Sequence, residues 1–100
     1  MIYKVKDGNI LMNLRGELDI ANADNFKKNC FKIAEQHKLG FVIDCKDLEF
    51  IDSTALGVLV SINNKIAPYD KKLVLKNLKP NVKKLFYITN LDKSIEITEE

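Results

Sequence analysis

The sequence has little of the chemistry that most enzyme sites need. His37 is the only histidine, so a serine–histidine–aspartate triad is improbable and a histidine-based metal site has no second ligand. The chain also lacks a Gly-x-Ser-x-Gly elbow, a Gly-rich loop ending in Gly-Lys-Ser/Thr and a GxGxxG fingerprint. We therefore expect a protein that is not an enzyme, with no catalytic residue, no metal and no cofactor.

Arginine is almost absent, although basic residues are common. The chain has 16 basic and 14 acidic residues, a net charge of +2, and Arg15 is its one arginine. Nucleic-acid-binding domains normally present a clustered basic face, and arginine is the usual side chain for recognising phosphates and base edges. This composition therefore predicts no nucleic-acid partner.

Long apolar runs are also missing. The N-terminal residues carry charge from Lys4 onward, unlike a secretory signal, and no run reaches the roughly 18 apolar residues of a membrane span. Cys30 and Cys45 lie at apolar positions without a CxxC spacing, which is typical of reduced core cysteines. We expect a cytoplasmic protein that has no membrane partner.

The pattern of apolar residues predicts eight elements. Two alternating runs, residues 2–6 and 10–15, flank Asp7-Gly8-Asn9 and predict an opening β-hairpin. Helices and strands then alternate, with helices predicted at residues 22–37, about 53–67 and 80–90, and strands at 41–45, 72–76 and 95–97. The order β-β-α-β-α-β-α-β predicts an α/β fold, a single domain over residues 1–100 with helices packed against a mixed sheet.

Local signals set the expected boundaries of these elements. Asn22 is a plausible N-cap of the first helix, and Gly40 is the expected stop after it. Residues 46–50 are predicted to form a loop or short turn. Pro68 is expected to close the second helix, and Asn90 is a candidate C-cap of the third.

The stretch from Phe50 to Ile62 is the most informative part of the chain. Asp52, Ser53 and Thr54 precede a strongly apolar helical run, so we expect a largely buried helix whose exposed end is its N-terminus. A hydroxyl there lies near free backbone N–H groups, where a phosphate is stabilised. Helix capping alone explains an Asp-Ser pair. The rigid apolar helix and the doubled hydroxyl residues favour a phosphate site as well.

Three aspartates require a separate interpretation. Asp19, Asp44 and Asp52 fall at or just after the ends of predicted strands, and such positions can converge on one edge of an α/β sheet. A Mg²⁺ site, and with it a small metal-dependent hydrolase, is therefore conceivable. We favour the simpler interpretation, in which these residues cap helices and form turns.

Three blocks of the sequence form a recognisable set: Gly-Glu-Leu-Asp at 16–19, Phe-Ile-Asp-Ser-Thr-Ala-Leu-Gly at 50–57, and the segment 77–91 with its Pro-Asn-Val and Phe-Tyr-Ile-Thr-Asn-Leu runs. Together they resemble the STAS domain, and more narrowly a free-standing bacterial anti-sigma-factor antagonist. The second block is the most specific, and the resemblance covers nearly the whole chain. Ala55 stands where many members have glycine. The chain also stops soon after the last strand, so we expect the family's C-terminal helix to be short or absent.

The resemblance implies a phosphorylation switch. In that family a serine at the position of Ser53 is phosphorylated by the partner anti-sigma factor, itself a serine kinase, and a PP2C-type phosphatase reverses the reaction. The unphosphorylated antagonist binds the anti-sigma factor and frees the sigma factor. The implied partner-binding residues are Asp19, Asp52, Ser53, Thr54 and Gly57, with Thr54 as the alternative acceptor. A STAS-like ligand-binding or scaffolding module that is never phosphorylated remains the second hypothesis.

Overall fold

One mixed sheet of five strands organises the protein, whose computed structural model describes residues 1–99. The strands are β1 (Lys4–Lys6), β2 (Asn9–Leu18), β3 (Gly40–Ile51), β4 (Leu73–Lys76) and β5 (Glu96–Thr98). Their order in the sheet is their order in the chain; β1 is antiparallel to β2, and the other pairs are parallel. The predicted hairpin is confirmed, with Asp7 (φ 53°) and Gly8 (φ 78°) both left-handed in its turn.

Three helices connect the parallel strands: α1 (Ala23–His37), α2 (Ser53–Ile66) and α3 (Pro80–Ile88). Each crossover moves one strand further in the same direction, so right-handed connections place all three helices on one face of the sheet. The predicted order of helices and strands is confirmed. Among residues 1–99, no helix has the length and apolar character needed to cross a bilayer.

The core lies between the sheet and these helices. Alternate strand residues face the helices and are almost fully buried, whereas their neighbours on the other face, such as Leu11, Val42 and Val74, are only half-buried. Cys30 and Cys45 are free and buried in this core, as predicted. Burial raises the pKa of each thiol to about 12, so both stay protonated and unreactive at neutral pH.

The loop predicted at residues 46–50 is wrong, because β3 continues through them to Ile51. The register between β2 and β3 shifts twice here, before Arg15 and after Gly16, and Gly16 is left-handed at φ 70°. Each shift places one extra residue in β3, and the first leaves Lys46 and Asp47 consecutively exposed. These irregularities remove the alternation from which a strand is recognised in a sequence.

The helix ends differ in detail from the sequence signals. After α1, Lys38 adopts the left-handed conformation (φ 55°), while Gly40 already belongs to β3. Gly40 instead allows close approach of the backbone, since a Cβ there would lie 3.0 Å from the backbone oxygen of Lys72. Helix α2 ends at Ile66, and Pro68 lies in the 3₁₀ turn that follows. The C-cap of α3 is Thr89, and Asn90, the predicted C-cap, follows it in the left-handed conformation (φ 61°).

Candidate functional site

Ser53 and Thr54 occupy the exposed first turn of α2. The N-cap is Asp52, whose Oδ1 accepts a hydrogen bond from Ala55 N at 2.9 Å. Because this carboxylate caps the helix, capping requires neither hydroxyl, and both side chains are exposed. The N–H groups of Ser53 and Thr54 have no acceptor within the helix. The arrangement therefore combines an accessible hydroxyl with backbone donors suited to a phosphate.

Asp52 also connects α2 to the segment between β2 and α1. Its second oxygen, Oδ2, accepts a hydrogen bond from Ile20 N at 2.9 Å, and its own N–H donates to Leu18 O at 3.4 Å. One carboxylate thus caps α2 and holds the neighbouring loop. The sequence indicated the cap; the link to Ile20 was missed, because residues so far apart in the chain carry no local signal of contact.

The β2–α1 loop (residues 19–22) is fixed by its own polar side chains. Asp19 Oδ1 accepts from Ala21 N at 3.0 Å, Asn22 Oδ1 accepts from Asp19 N at 2.9 Å, and Asn22 Nδ2 donates to Glu17 O at 2.9 Å. Asn22 occupies the N-cap position of α1, yet its side chain makes no cap hydrogen bond. The predicted N-cap position is therefore confirmed, but the Asn22 side chain turns back to hold the loop and does not cap the helix.

The exposed side of α2 continues beyond its first turn. Gly57 is exposed, and a Cβ at this position would meet no atom within 4 Å. Ser61 Oγ donates to Gly57 O at 3.0 Å, and Asn64 is exposed two turns after Gly57. The expectation that only the N-terminus of this helix is exposed is therefore too narrow. The exposed side of α2 therefore extends from its first turn to Asn64.

The three aspartates considered for a metal site do not converge. Asp44 lies within β3, not at its end, and its Oδ1 accepts from Lys46 N at 3.1 Å and from Asn77 Nδ2 at 3.3 Å. Asp19 and Asp52 accept from the backbone groups described above. Within residues 1–99, no group of three or more histidine, cysteine or acidic side chains is arranged to hold a metal ion.

Comparison with known families settles the type of domain. The STAS domain model matches residues 1–100, the full sequence. The chain belongs to the STAS family. It is 33% identical over 95 residues to the anti-sigma-B factor antagonist of Bacillus subtilis (strain 168), a match covering 95% of this chain and 86% of that protein.

Solved STAS structures share the fold. The crystal structure of a candidate anti-sigma factor antagonist from Thermotoga maritima is 30% identical, with a TM-score of 0.89 over 99% of this chain and 86% of that one. The structure of the anti-sigma factor antagonist SpoIIAA in its unphosphorylated form is 19% identical, with a TM-score of 0.71 over 87% of this chain and 83% of that one. At that identity the second likeness shows the fold alone.

In this STAS domain, the predicted site residues lie on two neighbouring elements. Ser53, Thr54 and Gly57 are on α2, Asp52 precedes them, and Asp19 begins the β2–α1 loop that Asp52 holds. Their roles in phosphorylation and partner binding stay predictions. No role was predicted for Ile20, although the sequence carried one signal, a large aliphatic residue directly after Asp19 in a predicted loop.

Proposed function

We propose that this STAS protein is an anti-sigma-factor antagonist whose binding is switched off by phosphorylation of Ser53. In its unphosphorylated form it binds an anti-sigma factor, which is also a serine kinase, and thereby releases a sigma factor. A PP2C-type phosphatase restores that form. The observation that carries the proposal is the exposed Ser53 hydroxyl at the start of α2, which Asp52 frees from capping. The name of the Bacillus subtilis relative supports the general role.

The free domain is expected to tolerate the phosphate. Phosphorylation of Ser53 would add about −1.5 to −2 charges at neutral pH. The N-terminus of α2 offsets part of that cost, by roughly 0.3–1 kcal/mol, and the N–H groups of Ser53 and Thr54 are available as donors. Because Ser53 is exposed, the modification displaces no core contact.

The free-energy cost of the phosphate is expected to be larger when a partner covers Ser53. A charge buried in an interface without a counter-charge costs about 3–5 kcal/mol, which is roughly two to three and a half decades of affinity at ~1.4 kcal/mol each. Asp52, directly before Ser53, and Asp19 in the adjacent loop add negative charge to the same edge. A single phosphate can therefore prevent docking without unfolding the domain.

The kinase activity belongs to the partner in this proposal. Phosphoryl transfer requires a nucleotide and Mg²⁺ held by dedicated residues, commonly in a Gly-rich loop, and the sequence has no such loop. The STAS protein itself acts as a regulatory binding protein and phosphate acceptor.

The proposal can be tested by capture followed by phosphorylation. Proteins bound by Ser53→Ala and Ser53→Asp are compared, and the kinase bound only by Ser53→Ala is purified and incubated with the wild-type protein and ATP. We expect phosphate on the peptide containing Ser53, none on Ser53→Ala, and normal labelling of Thr54→Ala. We also expect Ser53→Asp to bind the kinase more weakly by about two to three and a half decades.

Two results would contradict this function. Labelling of Ser53→Ala at the wild-type rate would exclude Ser53 as the acceptor. Identical partners for Ser53→Ala and Ser53→Asp would favour a scaffolding or ligand-binding module that phosphorylation does not control.

A further inference from the structure

Ile20 is a large apolar side chain that the fold leaves in water. It is 76% exposed at the tip of the β2–α1 loop, and it takes no part in the buried core. Its backbone N–H lies 2.9 Å from a carboxylate oxygen of Asp52, the residue that precedes Ser53. The fold therefore places an exposed aliphatic residue directly beside the proposed phosphorylation site.

The loop that carries Ile20 is ordered by hydrogen bonds on both sides of it. Asp19 and Asn22 close the loop internally, and Asp52 ties its centre to α2. An apolar group held in place before binding loses little conformational entropy when a partner covers it, so it contributes more to affinity than a mobile one. Such a loop is suited to binding, because hydrogen bonds order its backbone while the Ile20 side chain stays exposed to a partner.

We propose that Ile20 is an apolar contact for the serine kinase that modifies Ser53, and that Asp52 is the positioning residue that holds Ile20 there. This inference rests on the proposed function. The kinase is the occupant because it must bring its nucleotide to the Ser53 hydroxyl, so its surface must pass over the residues next to that hydroxyl. Ile20 is such a residue through the Asp52 hydrogen bond.

The positioning role can be measured without any partner. Asparagine caps helices as well as aspartate does, but its amide nitrogen cannot accept a hydrogen bond. In Asp52→Asn we expect the Ile20 amide to exchange faster with solvent while Ala55 keeps its protection, as read by NMR hydrogen exchange. Asp52→Ala removes both acceptors and is expected to expose both amides. Unchanged protection of Ile20 in Asp52→Ala would overturn the positioning role.

The contact itself is tested by calorimetry with the purified kinase. We expect Ile20→Ala to bind about tenfold more weakly, and Asp52→Asn to lose a similar factor. The double variant should bind no more weakly than the single variant of lower affinity. An Ile20 that Asp52 no longer holds contributes little to affinity, so its removal then has little further effect. Full additivity of the two losses would show that Asp52 does not act through Ile20.

Two matched variants control for exposure and charge. Ile88→Ala removes an isoleucine that is 66% exposed at the far end of α3, and its affinity should equal that of the wild type. Asp24→Asn removes one carboxylate from the first turn of α1, where it pairs with the exposed Lys28, and should leave affinity unchanged.

The outcomes separate this inference from the function on which it rests. Wild-type affinity for Ile20→Ala, with Ser53 still phosphorylated, would overturn the contact and leave the proposed switch intact. Failure of the wild-type protein to bind the kinase or to accept phosphate would overturn the switch and the contact together.

Discussion

The two sides of α2 differ in polarity, side-chain size and solvent exposure. One side is apolar and at most 8% exposed; it comprises Ala55, Leu56, Val58, Leu59, Ile62 and Ile66. The other side carries small or polar residues that are exposed: Ser53, Thr54, Gly57 and Asn64. The buried side packs against the sheet and α1, whereas the exposed side is open to solvent. Stability and the proposed binding function therefore depend on different residues of a single helix.

This separation explains how a switch can act without unfolding the protein. Burying one large aliphatic side chain stabilises a fold by about 1.5–3 kcal/mol, while substitutions at exposed positions usually change stability by less than about 0.5 kcal/mol. A phosphate on the exposed side therefore acts on binding, and its effect on folding stays small.

A cavity on the buried side should have the largest effect on stability. Ile62 is 0% exposed, and Ile62→Ala should lower the free energy of unfolding by about 2–5 kcal/mol, because both transfer energy and packing are lost. Urea denaturation followed by circular dichroism measures this loss. The protein that remains folded should still accept phosphate at Ser53.

The matched variant on the exposed side is Ser53→Ala. Its free energy of unfolding should stay within about 0.5 kcal/mol of the wild type, since Asp52 supplies the cap. A loss of about 2 kcal/mol or more in Ser53→Ala would show that the two sides of α2 are not separable in the way proposed.

Gly57→Ala should move stability and binding in opposite directions. Glycine inside a helix is less favourable than alanine by about 0.8–1 kcal/mol, and the added Cβ would meet no atom within 4 Å, so the variant should be more stable by roughly that amount. If the partner packs closely on this surface, the extra methyl group should weaken kinase binding by about 1–3 kcal/mol. Thermal denaturation and calorimetry measure the two effects.

Asn64→Ala is the control for Gly57→Ala. Asn64 is exposed on the same helix, two turns further from Ser53, and alanine there should raise stability by up to about 0.7 kcal/mol. Kinase affinity should be unchanged. If Gly57→Ala also binds with wild-type affinity, Gly57 is not part of the partner-binding surface.

The burial of most of α2 was predictable from the sequence because the run from Ala55 to Ile62 is rich in apolar residues, whereas its exposed side was not predicted. The Asp-Gly turn, the element order and the core cysteines were also predictable from short stretches of sequence. At these residues the local conformational preference of the sequence and the tertiary structure favour the same conformation.

The features that could not be predicted from the sequence depend on contacts between residues that are distant in the chain. The shifts in register that extend β3 past Cys45 require β2 as a partner, and the second hydrogen bond of Asp52 requires Ile20. Asn22 is a residue type that often caps helices, but its Oδ1 accepts a hydrogen bond from the backbone N–H of Asp19 and not from the first turn of α1. A local pattern cannot decide such a competition, because the outcome depends on how the loop and α2 meet.

The smallest expected effect is at the other end of α2, where Lys65 Nζ donates to Glu35 Oε2 at 2.7 Å and links α2 to α1. The hydrogen bond and charge of Lys65 hold the pKa of the Glu35 carboxyl below its usual value. The pair therefore stabilises the fold above the pKa of Glu35 in the unfolded chain, and this contribution is lost as pH falls through the lower folded-state pKa. Because both groups are solvent-accessible, the contribution should be slight and should shrink further in high salt.

Glu35→Gln tests this pair against the buried side of α2. Its stability should fall slightly below the wild type near neutral pH and converge with it in acid, whereas the deficit of Ile62→Ala should persist at both pH values because it involves no titrating group. An NMR titration should place the pKa of Glu35 lower in the wild type than in Lys65→Met, where both the donor and the positive charge are gone. Equal pKa values would show that the link is absent in solution, and that α1 and α2 are joined by their apolar contacts.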